Sequence, residues 1–133
     1  MDTKASKIAV VKFGGTSVAD ARARACAIAR IREYRQAGYS LAAIVSAMGR
    51  MGAPYATDTL LSLVRGEDTL PETRDLIMSC GETVSACVFA DALCRENVPA
   101  VPFTGVSAGI ETDGEHLSAE ITGMDTARVR AAL

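Results

Sequence analysis

Two short apolar runs constrain this chain most. Each ends in a loop of glycine and other small residues, and helical sequence follows each. Lys7 to Phe13 reads KIAVVKF, and Tyr39 to Ala47 reads YSLAAIVSA. Both have the length and β-branched content of buried strands. Gly14-Gly15 interrupts the first, and a loop from Met48 to Tyr55 with Gly49, Gly52 and Pro54 follows the second. Between them, Val18 to Gln36 is rich in Ala, Arg and Ile, with Ala21, Ala25, Ile28 and Ile31 near helical spacing, and Gly38 stops it. Thr16 or Ser17 is expected to cap this helix, with Asp20 in its first turn, where the dipole favours an acid.

Further along, Ala56 to Val64 reads as a short helix with Leu60, Leu61 and Val64 inward, and Gly66 to Leu70 as a polar turn. Pro71 opens a long helix to about Asn97, with Gly81 as an interior irregularity. Val98 to Phe103 is expected to be a third strand, its two prolines suggesting an edge or an interrupted ladder. Gly105 to Gly109 reads as loop, Ile110 to Thr112 as a stub of strand, and Asp125 to Leu133 as a last helix, while residues 1–6 form a polar lead-in. Strands alternating with helices imply an α/β fold, a mainly parallel sheet sandwiched by helices. Right-handed crossovers bring the strand C-terminal ends to one edge, where ligands bind in such sheets. The loops after Phe13 and after Ala47 therefore face one site.

Composition narrows the function. The chain has 133 residues, 49% hydrophobic and 23% charged, enough for one domain with a real core. A formal charge of -2 argues against a non-specific nucleic-acid binder and against disorder. No apolar run approaches the roughly 20 residues of a membrane span, and the N-terminus lacks a secretory pattern, so a cytoplasmic location without membrane attachment is expected. Cys80, Cys87 and Cys94 are spaced by seven; without a CxxC pair, and with His116 remote, they read as small apolar side chains on a buried helix face, not as metal ligands.

The chemistry concentrates in three stretches. In Lys12-Phe13-Gly14-Gly15-Thr16-Ser17, the glycines admit a ligand close to the backbone, Lys12 adds a positive charge, and Thr16 and Ser17 add hydroxyls. A helix starting there would present its N–H groups to an anion. This is neither a Walker A loop nor GxGxxG. A phosphate cradle and a plain tight turn fit equally well. Ser46-Ala47-Met48-Gly49 is a second loop of this kind, readable as a turn or a ligand loop. In Ser79-Cys80-Gly81-Glu82, Glu82 has small and apolar neighbours; it either meets a ligand amine or basic group, or is a solvated helix-face residue.

Together these stretches resemble the aspartate kinase family, within the amino-acid kinase superfamily. The matching segments are KFGGTSV at Lys12 to Val18, VSAMG at Val45 to Gly49, ATDTLL at Ala56 to Leu61, SCGE at Ser79 to Glu82, and TGVSAGIETD at Thr104 to Asp113. The resemblance runs from Lys7 to the end and corresponds to the N-terminal half of the kinase domain. It implies ATP-dependent phosphorylation of the β-carboxylate of L-aspartate, with ATP and Mg²⁺ as the cofactor pair. Lys12 would neutralise the transferring phosphoryl group, Gly14 and Gly15 would cradle it, and Thr16 and Ser17 would lie beside its path. Ser46, Thr57 and Glu82 would bind aspartate, Glu82 facing its ammonium. No metal ligand is assigned within the chain. The family's later nucleotide-binding segment and its regulatory ACT domains do not match anything in these 133 residues, so the isolated chain is expected to be inactive and to self-associate or pair with a complementary chain. The alternatives are a non-catalytic binding module derived from such a kinase, and a superfamily member acting on glutamate, carbamate or UMP.

Overall fold

A computed structural model of the chain describes residues 7–133; the polar lead-in falls outside them. β1 (Lys7–Phe13) and β2 (Tyr39–Val45) form a parallel pair in register from Lys7 opposite Tyr39 to Phe13 opposite Val45. Between them lie α1 (Gly15–Val18), a single turn, and α2 (Ala21–Gln36). Neither Thr16 nor Ser17 caps the long helix. Asp20 does: its carboxylate accepts the Ala23 N–H at 2.8 Å, because a bend at residues 19 and 20 separates the first turn from the rest. Within α2 the buried residues are Ala27, Ile28 and Ile31, whereas Ala21 and Ala25 are exposed. Gly38, at φ +86°, supplies the left-handed residue that lets the chain turn into β2.

α3 (Thr57–Leu61) is one residue over a turn, and α4 (Pro71–Arg95) is a single 25-residue helix. Gly81 introduces no irregularity in it. A Cβ there would stand 2.8 Å from the Ala47 Cβ and 3.0 Å from the Tyr55 carbonyl, so close packing accounts for the glycine. α4 buries Phe89, Ala90 and Leu93, and Phe89 meets Phe13 edge to face with centroids 5.6 Å apart. Val18, Ile28, Ile31, Met48 and Val98 complete the core. Cys80, Cys87 and Cys94 lie on the opposite side of α4 and are exposed, contrary to the buried face expected. A seven-residue spacing keeps them together on one stripe, and here that stripe faces solvent. α4 is also long and apolar enough to span a membrane by length and composition alone. About 28% of that apolar window is buried, and Phe89 and Leu93 pack into the chain's own core.

Val98–Phe103 is not a strand. Among the described residues nothing pairs with it, and a segment with Pro99 and Pro102 cannot donate at those positions. Val98 and Ala100 nevertheless pack on the core. β3 (Ile110–Thr112) pairs antiparallel with β4 (Ile121–Met124), a strand absent from the sequence reading, and α5 (Ala127–Ala132) follows. The β3–β4 connection is tied to α4: Asp75 accepts the Leu117 N–H at 3.0 Å, and its second oxygen lies 2.7 Å from His116 Nδ1.

Candidate active site

Parallel pairing places the ends of β1 and β2 side by side, and the ladder continues into the loops beyond. The Ser46 N–H donates to the Phe13 carbonyl at 3.1 Å, and the Gly49 N–H donates to the Gly15 carbonyl at 3.0 Å. The two glycine-bearing loops therefore touch, as expected. Gly15 is required by that contact. A Cβ there would be pressed onto the Ala47 carbonyl oxygen and stand 2.8 Å from the Gly49 carbonyl oxygen.

Gly14 is different. Its φ is -71°, which any residue adopts, and a Cβ there would meet nothing within 4 Å. Neither a tight turn nor packing explains a glycine at this position. The residue leaves a bare stretch of backbone facing open space beside Lys12. The helix dipole adds little, because the helix starting at Gly15 is one turn long and α2 begins beyond it.

Beyond β2, Gly49 takes positive φ just before, and Gly52 within, a turn closed by the Ala53 N–H on the Arg50 carbonyl at 2.8 Å. The Gly52 N–H donates to Thr59 Oγ1 at 3.1 Å and pins this turn to α3. The result is an open cleft of about 460 Å³ lined by Gly15, Ser46, Gly49, Arg50, Thr57 and Asp58 among others. α4 crosses at its back, where Glu82 Oε1 accepts the Ala47 N–H at 3.4 Å.

Of the residues singled out in the sequence, Gly15, Ser46 and Thr57 line this cleft, and Glu82 reaches its wall through Ala47. Lys12, Gly14, Thr16 and Ser17 stand at the same sheet edge without lining it. Lys12 is exposed on the outer face of β1, opposite Ile44, and forms no ion pair among the described residues. Thr16 and Ser17 are exposed on α1. Arg50 and Asp58 were missed. A charged residue set between Gly49 and Gly52, and an acid in the first turn of α3, were the available signals. No group of three or more acidic, histidine or cysteine side chains among the described residues could hold a metal ion.

The model of the amino acid kinase family matches residues 7–133. The chain is 45% identical to Aspartokinase 1 of Bacillus subtilis over 129 residues, covering 96% of this chain and 32% of that protein. It is 38% identical to an aspartokinase of Thermus thermophilus, covering 95% and 30% respectively. Among solved structures, the aspartate kinase from Synechocystis superposes with a TM-score of 0.75 at 30% identity, over 94% of this chain and 20% of that one. Aspartokinase III of E. coli, solved with lysine and aspartate, shares the fold with a TM-score of 0.61 at 21% identity, over 95% of this chain and 36% of that one. The chain spans about a third of the length of the curated relatives it matches.

Proposed function

Since the chain belongs to the amino acid kinase family, we propose that it is the acceptor-binding and phosphate-cradling part of an aspartate kinase, which phosphorylates the β-carboxylate of L-aspartate. The observation that carries this reading is the meeting of the two loops. Gly14 bares the backbone beside Lys12, while Ser46 and Thr57 share one cleft with Gly15, backed by Glu82. The aspartokinase relatives favour aspartate over glutamate, carbamate or UMP as acceptor.

ATP supplies the phosphoryl group, and the lysine and glycines of this chain fit it. Lys12 offsets the charge that builds as the phosphoryl passes to the acceptor, and the N–H groups of Gly14 and Gly15 hold its oxygens; positioning and charge are the main needs of this reaction. Ser46 and Thr57 orient the acceptor, and Glu82 receives its ammonium. Mg²⁺ would accompany the nucleotide, since among the described residues no cluster of three or more carboxylate, histidine or cysteine side chains could hold it. The product would be 4-phospho-L-aspartate, made in the cytoplasm on the way to lysine, threonine, methionine and diaminopimelate.

Glu82 gives a specific test. In a full-length kinase carrying this segment, Glu82→Gln should raise the KM for aspartate about 10- to 100-fold, the effect of losing one charge-assisted hydrogen bond. The KM for ATP should stay within about twofold. Equal changes in both constants would point to general damage.

The 133 residues alone should not turn over. On the outer face of the sheet Ile8, Val10 and Ile44 are 45%, 70% and 51% exposed, and both edges of the β1–β2 pair lack a neighbour among the described residues. Such a surface favours self-association or capture by a complementary chain. A coupled ADP-release assay with aspartate, ATP and Mg²⁺ should read background, and light scattering should show oligomers. Aspartate-dependent ADP release by a monomer would overturn both expectations.

A further inference from the structure

We infer that Ser85 is a positioning residue of this site, an inference that rests on the reading above. Ser85 lies mid-way along α4 and is 1% exposed. Its hydroxyl is buried and has no hydrogen-bond partner among the described residues. Other side chains on the same helix turn back onto its carbonyls: Ser79 to Leu76 at 2.8 Å, and Thr83 to Ser79 at 2.8 Å. Ser85 does not use that option. A buried hydroxyl without a partner destabilises a fold, so its presence asks for an explanation.

The position supplies one. Residues four apart on a helix share a face, so Gly81, Ser85 and Phe89 form one stripe along α4. Gly81 abuts Ala47 and the Tyr55 carbonyl at one end of the stripe, and Phe89 abuts Phe13 at the other. Ser85 is thus bracketed beneath the place where β1 and β2 pass into the two loops. One turn away, Glu82 holds the Ala47 N–H at the long distance of 3.4 Å. When an acceptor draws these loops onto α4, the Ser85 hydroxyl bonds strand-end backbone in Phe13–Gly15 or Val45–Ala47 and fixes the loops in the bound arrangement.

A purely structural serine and a positioning serine respond differently to truncation. Thermal unfolding of the 133-residue chain by circular dichroism, with calorimetric titration of L-aspartate, separates them. Ser85→Ala should raise the unfolding midpoint without aspartate by about 3 °C, because an unpartnered buried hydroxyl is removed. The same variant should bind L-aspartate about fivefold more weakly. Ser85→Cys, which keeps the size and a weak donor, should lose less affinity. A lower midpoint for Ser85→Ala would mean that the hydroxyl is already bonded, and wild-type affinity would mean that the loops do not use it; either result overturns the inference alone. If the wild-type chain fails to bind L-aspartate, the inference falls together with the proposed function.

Discussion

Gly15→Ala is expected to destabilise the chain by about 3 kcal/mol, at the upper end for inserting a methyl group into a packed site. The new Cβ would be driven into the carbonyl oxygens of Ala47 and Gly49. Both are backbone atoms, so no rotamer change relieves the clash. The loop carrying them is held to β1 by the Ser46 bond to Phe13 and the Gly49 bond to Gly15, and it cannot retreat without losing those bonds. Gly14→Ala is the internal control. That site has an ordinary φ and free space around it, so stability should change by less than about 0.5 kcal/mol. Urea unfolding of both variants makes the comparison. Equal midpoints for Gly15→Ala and wild type would show that the loops are not in contact.

The second large effect concerns Lys12. In a full-length kinase carrying this segment, Lys12→Ala should lower kcat at least ~10²-fold, the scale for losing one preorganised charge at a reacting group. Stability should barely change, because the side chain is exposed and forms no ion pair among the described residues. A near-normal kcat in a folded variant would reduce Lys12 to a solvated residue at a strand end.

The elements read correctly from sequence are those whose local signals agree. KIAVVKF and YSLAAIV are short apolar runs closed by punctuation, and Pro71 to Arg95 carries a helix pattern with proline at its first turn. The failures have a common cause, a dependence on what lies across from the residue. Val98–Phe103 has strand-like composition, yet a strand exists only with a ladder partner. β4 contains Gly123 and pairs through an irregular register, so its alternation is faint. The cysteine stripe has the same periodicity whether buried or exposed, and only the packing of α4 decides. In the site, Gly15 and Ser46 were legible as loop residues, and Thr57 only through the family resemblance. The convergence of the two loops carrying Gly15 and Ser46 followed from parallel strand order, a topological rule. Arg50 and Asp58 carried weaker signals, a charge between two glycines and an acid in a helix's first turn, and only the turn and the short helix show that they reach the cleft. The reason for Gly81 also required the structure, since only the approach of Ala47 and Tyr55 explains it.

Hydrogen–deuterium exchange of the 133-residue chain, with and without saturating L-aspartate, is the most direct test that this segment holds the acceptor. Slower exchange is expected in the segments around Gly14–Ser17, Ser46–Thr57 and Ser79–Thr83, with no change in the β3–β4 hairpin, and Glu82→Gln should shift the aspartate concentration needed for half-protection upward about 10- to 100-fold. Exchange unaffected by aspartate, or half-protection at the same aspartate concentration in Glu82→Gln as in wild type, would contradict the assignment of an aspartate site to this cleft.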